Sequence, residues 1–172
     1  IKQLGKKPYF IYMSPLGNVL TQQKAIELSQ KENIAILCGH YEGVDQRILD
    51  EIVDEEISIG DYVLTGGELP ALVLVDTVAR MVPGVLPENL CFEDESHFGG
   101  LLEYPQYTRP AVWHDREVPP VLLTGHHKNI AEWRQAQSLE ETKTKRPDLY
   151  ASYLDKKSFR LRRMDFDSTT PP

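Results

Sequence analysis

The chain has 172 residues, of which 41% are hydrophobic and 26% charged, and its formal net charge is −7 at pH 7. These values are typical of a globular protein with one domain, or with one domain and a small appendage. No run of about 18 apolar residues is present, so we expect no transmembrane helix. No basic and apolar leader opens the chain, and we therefore expect a cytoplasmic protein without a membrane partner.

Cysteine content and the first residue add two expectations. Cys38 and Cys91 are too few for a disulfide scaffold. Cys38 ends an apolar run and is predicted to be a buried free thiol. Because the chain starts at Ile1 without a methionine, we expect it to be a fragment of a longer protein.

The charge is distributed unevenly along the chain. Residues 120–163 contain ten Lys and Arg residues but five Asp and Glu residues, so this stretch carries +5 and the remainder −12. An acidic total argues mildly against a nucleic-acid partner, but this asymmetry is typical of a surface that faces a polyanion. A solvated helical face is the alternative interpretation.

The chain opens with segments that are strand-like and helix-like in turn. Residues 9–13, rich in aromatic and β-branched side chains, predict a strand that ends in a turn at 14–17. Thr21 is a candidate N-cap for a helix that runs to about Lys31. The apolar residues 34–38 predict a second, buried strand.

The alternation continues through the first half of the chain. Residues 44–52 predict a short helix with Asp45 in its first turn, residues 62–64 a brief strand, and residues 67–82 a long apolar helix. Pro70 is tolerated because it falls in the first turn of the long helix. Strands that alternate with helices predict an α/β domain with a mainly parallel sheet.

The second half of the chain has a different character. Residues 84–120 are rich in Pro, Gly, aromatic and acidic residues without a clear period, which predicts a linker after a first domain at 1–83. Residues 121–163 regain a helical spacing, interrupted by Pro147, and predict a small helical domain. Residues 164–172 predict a disordered tail.

Three glycine-containing or proline-containing turns, at 14–17, 38–43 and 58–67, are predicted at the carboxyl ends of consecutive strands. In parallel sheets, ligands bind beyond those ends. The turns therefore predict one shared site for a polar, adenosine-type ligand held by peptide groups, although three ordinary tight turns are the alternative. The chain has no GxxxxGK[ST] and no GxGxxG opening a helix, which excludes the P-loop and the ordinary Rossmann fingerprint.

Two polar constellations are candidates for chemistry. Asp76 and Arg80 stand four residues apart in the apolar helix, where Arg80 can offer a planar fork to a ligand oxygen, or form a surface ion pair. The acidic run 93–95 can supply a general base, or it can be a solvated loop. The adjacent histidines 126–127 have no carboxylate or Cys at ligand spacing, so we predict no metal site.

At six motifs the chain resembles the bacterial tRNA (guanine-N1)-methyltransferases, the TrmD family of the SPOUT superfamily. The similarity runs in order from about residue 8 to about residue 150. The motifs are Met13–Gly17 (MSPLG), Cys38–Asp45 (CGHYEGVD), Ser58–Pro70 (SIGDYVLTGGELP), Arg80–Leu86 (RMVPGVL), Gly100–Pro110 (GLLEYPQYTRP) and Val118–Gly125 (VPPVLLTG).

The resemblance implies a SPOUT-type α/β fold in which a deep trefoil knot holds S-adenosylmethionine, and a homodimer with its active site between subunits. The implied reaction moves a methyl group to N1 of the guanine just 3′ of the tRNA anticodon, with Mg²⁺ as a possible companion of the substrate. The basic helical segment would then bind tRNA phosphates. Another SPOUT methyltransferase acting on ribosomal RNA, and a non-catalytic cofactor-binding or RNA-binding fragment, stay open as alternatives.

By motif position, the resemblance assigns the cofactor to residues of the three turns. They are Met13, Ser14, Pro15, Gly39, Tyr41, Glu42, Gly43, Ser58, Ile59, Gly60, Tyr62, Leu64, Gly66, Gly67 and Pro70.

The resemblance also assigns catalytic roles. Arg80 matches the family arginine that meets the guanine. Ungapped counting from Arg80 places Glu95 at the carboxylate base, where the family usually has Asp, and a shift of one residue would select Asp94. His40 stands where the family usually has Arg.

Overall fold

The structure is a computed structural model that describes residues 6–40, 43–86 and 95–167, with side chains described as far as residue 157. The chain divides into two compact units, Ile1–Asn89 and Leu90–Pro172. None of the described helices is long and apolar enough to span a membrane.

The first unit contains a three-stranded parallel sheet with the order β2-β1-β3. Its strands are β1 (Tyr9–Val19), β2 (Ile34–Cys38) and β3 (Glu55–Ser58). Three helices connect or follow these strands: α1 (Gln22–Ser29), α2 (Gln46–Ile52) and α3 (Glu68–Ala79). The predicted α/β class with a parallel sheet is confirmed.

Strand β1 is longer than the sequence predicted, because the turn expected at 14–17 is a bulge within the strand. Ile11–Met13 pair with Glu55–Ile57, and Asn18 then pairs again with Ile57. Gly17 is required there, since a Cβ at this position would lie 2.4 Å from the backbone carbon of Glu56. The bulge leaves Leu16 90% exposed.

The brief strand predicted at 62–64 was wrong, and the third strand is β3 instead. Ile57 of β3 is 1% exposed because it pairs with β1 inside the core, whereas Val63 is 81% exposed. Apolar composition alone did not distinguish β3, which pairs with a neighbouring strand, from the exposed loop at 62–64 that follows it.

The helix starts follow ordinary capping. Thr21, the predicted N-cap of α1, accepts a hydrogen bond from the Lys24 amide at 3.2 Å. Asp45 lies just outside α2 as its N-cap and accepts from the Arg47 amide at 2.9 Å. Each cap satisfies an amide that the first turn of a helix leaves without a partner.

The core of the first unit joins its sheet to two helices. Ile11, Met13 and Ile57 come from the sheet, Leu28 from α1 and Leu74 from α3, and none is more than 4% exposed. Burying each such side chain stabilises the fold by about 1.5–3 kcal/mol. The core therefore fixes α3 against the sheet and places its first turn beside the loops at the strand ends.

The second unit consists mainly of two helices, α4 (His127–Lys145) and α5 (Pro147–Asp167). Pro147 begins α5, as expected of a residue that cannot continue the preceding helix. Helix α5 includes residues 164–167, which the sequence had assigned to a tail, and 168–172 lie outside the described residues.

Part of the predicted linker packs within this second unit. A hairpin of two short antiparallel strands, β4 (Val112–Trp113) and β5 (Arg116–Glu117), is followed by a short 3-10 helix, Pro120–Leu123. The Leu102 amide donates to Thr142 Oγ1 of α4 at 2.8 Å. The described part of the linker is thus held by α4 rather than free of it.

Candidate functional site

The bulge at 14–17 and the turns at 38–43 and 58–67 surround one cavity of about 360 Å³, beyond the carboxyl ends of β2 and β3. Every predicted cofactor residue that the structure describes lines it. These are Met13, Ser14, Pro15, Gly39, Gly43, Ser58, Ile59, Gly60, Tyr62, Leu64, Gly66, Gly67 and Pro70. Tyr41 and Glu42 lie outside the described residues.

Backbone contacts join two of the turns across the cavity wall. The Gly67 amide donates to the Gly39 carbonyl at 3.2 Å, and His40 forms an antiparallel bridge with Gly66. The Gly43 amide donates to the His40 carbonyl at 3.1 Å and closes the turn at 38–43. These three contacts between peptide groups hold this part of the wall.

Two buried serines shape the other turns. Ser14 Oγ accepts from the Leu16 amide at 3.1 Å within the bulge. Ser58 Oγ accepts from the Gly60 amide at 3.1 Å and donates to the Gly60 carbonyl at 3.0 Å. Such short-range bonds let a side chain satisfy backbone groups that leave the sheet.

Glycine is required where the turns meet. A Cβ at Gly67 would lie 2.8 Å from the Cα of Cys38, which is a collision with backbone. A Cβ at Gly66 would lie 2.5 Å from Glu68 Oε2 and 3.0 Å from His40 Cε1, both side-chain atoms. A substitution at Gly67 must therefore move the chain, whereas one at Gly66 displaces an ion pair.

That ion pair joins His40 Nε2 to Glu68 Oε1 at the edge of the cavity. The pKa of Glu68 is lowered, first by a hydrogen bond from its own backbone amide and then by His40. Both side chains are more than half exposed, so solvent screens the pair and its contribution to stability is small. The pair links the turn after β2 to the first turn of α3.

Cys38, at the end of β2, is a free cysteine. Burial raises the pKa of its thiol, and the nearby Glu68 carboxylate raises it further. A raised pKa keeps the sulfur protonated and poorly nucleophilic. Cys38 is thus a free thiol as expected, but it is half-buried rather than buried.

The predicted catalytic residues are divided between the two units. Arg80 is the C-cap residue of α3 in the first unit, and Glu95 lines a cavity of about 630 Å³ in the second unit. Asp94 lies outside the described residues. The Arg80 backbone amide donates to the Asp76 carbonyl at 3.2 Å, and the next two amides donate to carbonyls three residues back instead, as α3 ends.

Several residues of the first cavity were not singled out from the sequence. Tyr12, Gln46, Leu49 and Thr65 also line it. Thr65 lies within a predicted turn, Tyr12 and Gln46 lie two or three residues from one, and Leu49 lies six residues from one, so position in or near a turn was the available signal. Gln46 and Leu49 face the cavity because α2 follows the second turn directly.

The second unit has another cavity, of about 820 Å³, bounded by residues 104–111, the 3-10 helix and α4. Arg134 lines this cavity and the one that contains Glu95, and its guanidinium carbon lies 4.7 Å from the ring centroid of Tyr104. Its Nε is buried without a hydrogen-bond partner among the described residues. Such an unsatisfied donor typically costs about 1–3 kcal/mol.

No group of three or more His, Cys, Asp or Glu side chains arranged to hold a metal ion occurs within residues 6–40, 43–86 and 95–167.

Comparison with known protein families decides the family. The profile described as tRNA (Guanine-1)-methyltransferase TrmD matches residues 1–152. The chain belongs to the TrmD family. This finding confirms the family resemblance drawn from the six motifs.

Relatives in this family share much of the sequence. A tRNA (guanine-N(1)-)-methyltransferase of Ruminiclostridium cellulolyticum is 66% identical over 147 residues, covering 86% of this chain and 63% of the relative. That of Lachnospira eligens is 55% identical over 162 residues, covering 94% of this chain and 69% of the relative. That of Hydrogenovibrio crunogenus is 49% identical over 154 residues, covering 90% and 65%. The chain thus spans about two thirds of the length of these relatives.

Proposed function

We propose that this TrmD-family chain transfers a methyl group from S-adenosylmethionine to N1 of the guanine 3′ of the anticodon in tRNA. The observation that carries the proposal is the single cavity formed by the turns at 14–17, 38–43 and 58–67. Relatives that match most of the chain are named tRNA (guanine-N(1)-)-methyltransferases.

The cavity has the properties that such a cofactor needs. Its volume of about 360 Å³ falls in the usual range for small-molecule sites, about 300–1,000 Å³. Its glycines expose peptide groups that can bond an adenosine, and a side chain at Gly39 would meet the Tyr12 hydroxyl at 2.8 Å. The cofactor supplies the electrophilic methyl group when it is bound.

We assign proton removal and charge stabilisation to two side chains. Guanine N1 carries a proton and becomes nucleophilic only when that proton leaves, so a carboxylate base is required; we assign this role to Glu95, with Asp94 as the alternative. Charge then develops on O6, where the Arg80 guanidinium can stabilise it. The cavity and Arg80 belong to the first unit, and Glu95 belongs to the second.

We also infer a homodimer with the site between subunits. Leu69, Leu72 and Val73 lie on one face of α3 and are 61%, 64% and 45% exposed. Exposed apolar residues clustered on one helix face mark a surface that binds another protein. A deep trefoil knot around the cofactor belongs to the same proposal and rests on family membership.

The proposed tRNA contacts lie in the second unit. The last turn of α4 carries Lys143 and Lys145, and residues 120–163 carry a net +5. Such a surface binds phosphates with an affinity that falls as salt rises. Mg²⁺, where it takes part, would accompany the tRNA, and a cytoplasmic location follows from a tRNA substrate.

The first test is a calorimetric titration of S-adenosylmethionine into the chain and its Gly66→Val variant. We expect binding by the chain and its loss in the variant, because the valine displaces the His40–Glu68 pair at the cavity edge. Gly99→Val is the matched control, since no atom lies within 4 Å of a Cβ at Gly99. If both valine variants bind equally well, the cavity is not the cofactor site.

The second test measures methyl transfer to a tRNA transcript with a guanine 3′ of the anticodon. Glu95→Gln should lower kcat by about 10²–10⁴, the usual contribution of a general base. Glu117→Gln, at an exposed position of the β4–β5 hairpin, is the control and should retain full activity. Methylation of ribosomal RNA alone would favour the first alternative, and cofactor binding without any transfer would favour the non-catalytic fragment.

A further inference from the structure

The cavity of about 820 Å³ in the second unit has no role in the proposed methyl transfer. It is lined by aromatic, aliphatic and cationic residues, and none of its described lining residues is acidic. We call it the aromatic groove, defined by Tyr104, Tyr107, Arg109, Trp133 and Arg134. All five residues belong to the second unit.

Three aromatic rings form part of the apolar lining of the groove. Tyr107 contacts Trp133 with ring centroids 6.2 Å apart and an interplanar angle of 57°. Tyr107 is nevertheless 45% exposed, so part of its side chain stays accessible to a ligand. Tyr104 lines the same groove and supports the Arg134 guanidinium.

The two arginines give the groove a positive charge. Arg134 lies over the Tyr104 ring at 4.7 Å and forms no ion pair with a described residue. Its Nε is buried and has no acceptor in the described part of the chain. Arg109 lines the groove and is exposed. A ligand that offers a flat π-surface together with acceptor or phosphate oxygens would complement these groups.

We propose that the aromatic groove holds an unpaired nucleobase of the RNA substrate, so that the second unit binds the RNA loop by stacking as well as by charge. This inference rests on the proposed function, because it takes the substrate to be tRNA. Unstacked bases in RNA loops bind to aromatic side chains and to Arg planes. The groove supplies both.

The surrounding charge favours RNA over a second protein chain as the occupant. Residues 120–163, which include the α4 part of the groove, carry a net +5 within a chain whose total is −7. A second copy of an acidic chain offers no flat ring with phosphates attached, whereas each loop nucleotide does. The occupant is therefore assigned to RNA.

The test uses Trp133 as a reporter in the whole chain. The Trp113→Phe variant leaves Trp133 as the only tryptophan, since the chain has two. An RNA hairpin with a seven-nucleotide anticodon-type loop is titrated in, followed by hairpins with one abasic loop position each. We expect quenching of Trp133 fluorescence by the intact loop and its loss at one particular abasic position.

Variants then separate stacking from charge and from folding. Tyr107→Ala should weaken hairpin binding by roughly 5- to 150-fold, the range for one stacked base, whereas Tyr107→Phe should restore it. Arg109→Ala should weaken binding and reduce its salt dependence. Tyr150 and Tyr153 are half-buried and are not in the groove, so Tyr153→Ala, on α5, should bind as the unchanged chain does.

The outcomes distinguish this inference from the proposed function. Cofactor binding by calorimetry and methyl transfer at saturating tRNA should both survive in Tyr107→Ala, because the change raises KM rather than lowering kcat. Quenching without any methyl transfer would overturn the proposed function but keep the groove as an RNA site. Absence of quenching, equal quenching by every abasic hairpin, or equal losses in Tyr107→Ala and Tyr153→Ala would overturn the groove as a base site.

Discussion

The two units of the chain build their cavities in opposite ways. In the first unit the wall consists of turns held by peptide hydrogen bonds, such as that from the Gly67 amide to the Gly39 carbonyl. In the second unit the aromatic groove is made of side chains, with Tyr107 against Trp133 and Arg134 over Tyr104. A backbone wall should fail when a Cβ is added, and a side-chain wall when atoms are removed.

The largest expected effect tests the core packing that holds α3 against the sheet of the first unit. Leu74 of α3 is 1% exposed in the core of the first unit, so Leu74→Ala should lower the free energy of unfolding of that unit by about 2–5 kcal/mol. Chemical denaturation would measure the lost stability, and amide hydrogen exchange would show in which unit it is lost.

Ile48→Ala is the matched control, since Ile48 is 48% exposed on α2 and surface changes usually cost less than about 0.5 kcal/mol. Amides of α4 should keep their protection in Leu74→Ala. If amides in both units lose protection equally, the two units unfold together. Their cavities could then not be treated as independent sites.

The second prediction tests the wall itself. Gly67→Ala should cost about 1–3 kcal/mol and abolish cofactor binding, because the new Cβ meets the Cys38 Cα at 2.8 Å and the turn must shift. Gly99→Ala should leave both properties unchanged. Calorimetric binding that survives in Gly67→Ala would show that the wall adapts, contrary to a rigid backbone site.

The first cavity could be predicted from the sequence, whereas the bulge in β1 and the aromatic groove could not. Strand-end turns made the first cavity predictable, because a parallel sheet brings its carboxyl ends to one edge. The bulge that carries β1 on to Val19 was not predictable, since only the renewed pairing of Asn18 with Ile57 reveals it. The aromatic groove was also missed, because Tyr104 and Trp133 are 29 positions apart in the sequence and no local period connects them.

The third prediction concerns the side chain that holds the former linker segment in the second unit. Thr142 is fully buried, donates to the Ser138 carbonyl at 2.6 Å and accepts from the Leu102 amide at 2.8 Å. Thr142→Val keeps the shape but leaves that amide without an acceptor, at a cost of about 1–3 kcal/mol. Hydrogen exchange at Leu102 should accelerate.

Thr142→Ser retains the hydroxyl and should keep the Leu102 amide protected, which separates the hydrogen bond from the lost methyl group. If valine and serine protect that amide equally, packing rather than the hydroxyl holds the segment. Titration of the Trp113→Phe background with the RNA hairpin would then show whether the aromatic groove depends on this anchor.

The smallest expected effect is electrostatic, and it compares two similar Arg–Asp forks, one in each unit. Arg146 donates from Nε and Nη2 to the two carboxylate oxygens of Asp148, at 2.9 and 2.6 Å, and lowers the pKa of Asp148 to about 2. Arg47 holds Asp45 by the same two nitrogens and lowers its pKa as well. Because each folded-state pKa lies below the ordinary value of about 4, each fork stabilises its helix start above that pH. For Asp148, the stabilisation is lost as the pH falls from about 4 to about 2.

A carboxyl NMR titration of the chain and its Arg146→Gln variant measures this directly. The pKa of Asp148 should rise toward about 4 in the variant, while that of Asp45 stays low, because the two forks belong to different units. Both side chains at 146 and 148 are about half exposed, so solvent and salt screen the fork and thermal stability should change little. If the pKa of Asp148 stays near 2 without Arg146, the shift comes from backbone amides in the first turn of α5. Peptide groups would then stabilise this helix start, as they do the cavity wall of the first unit.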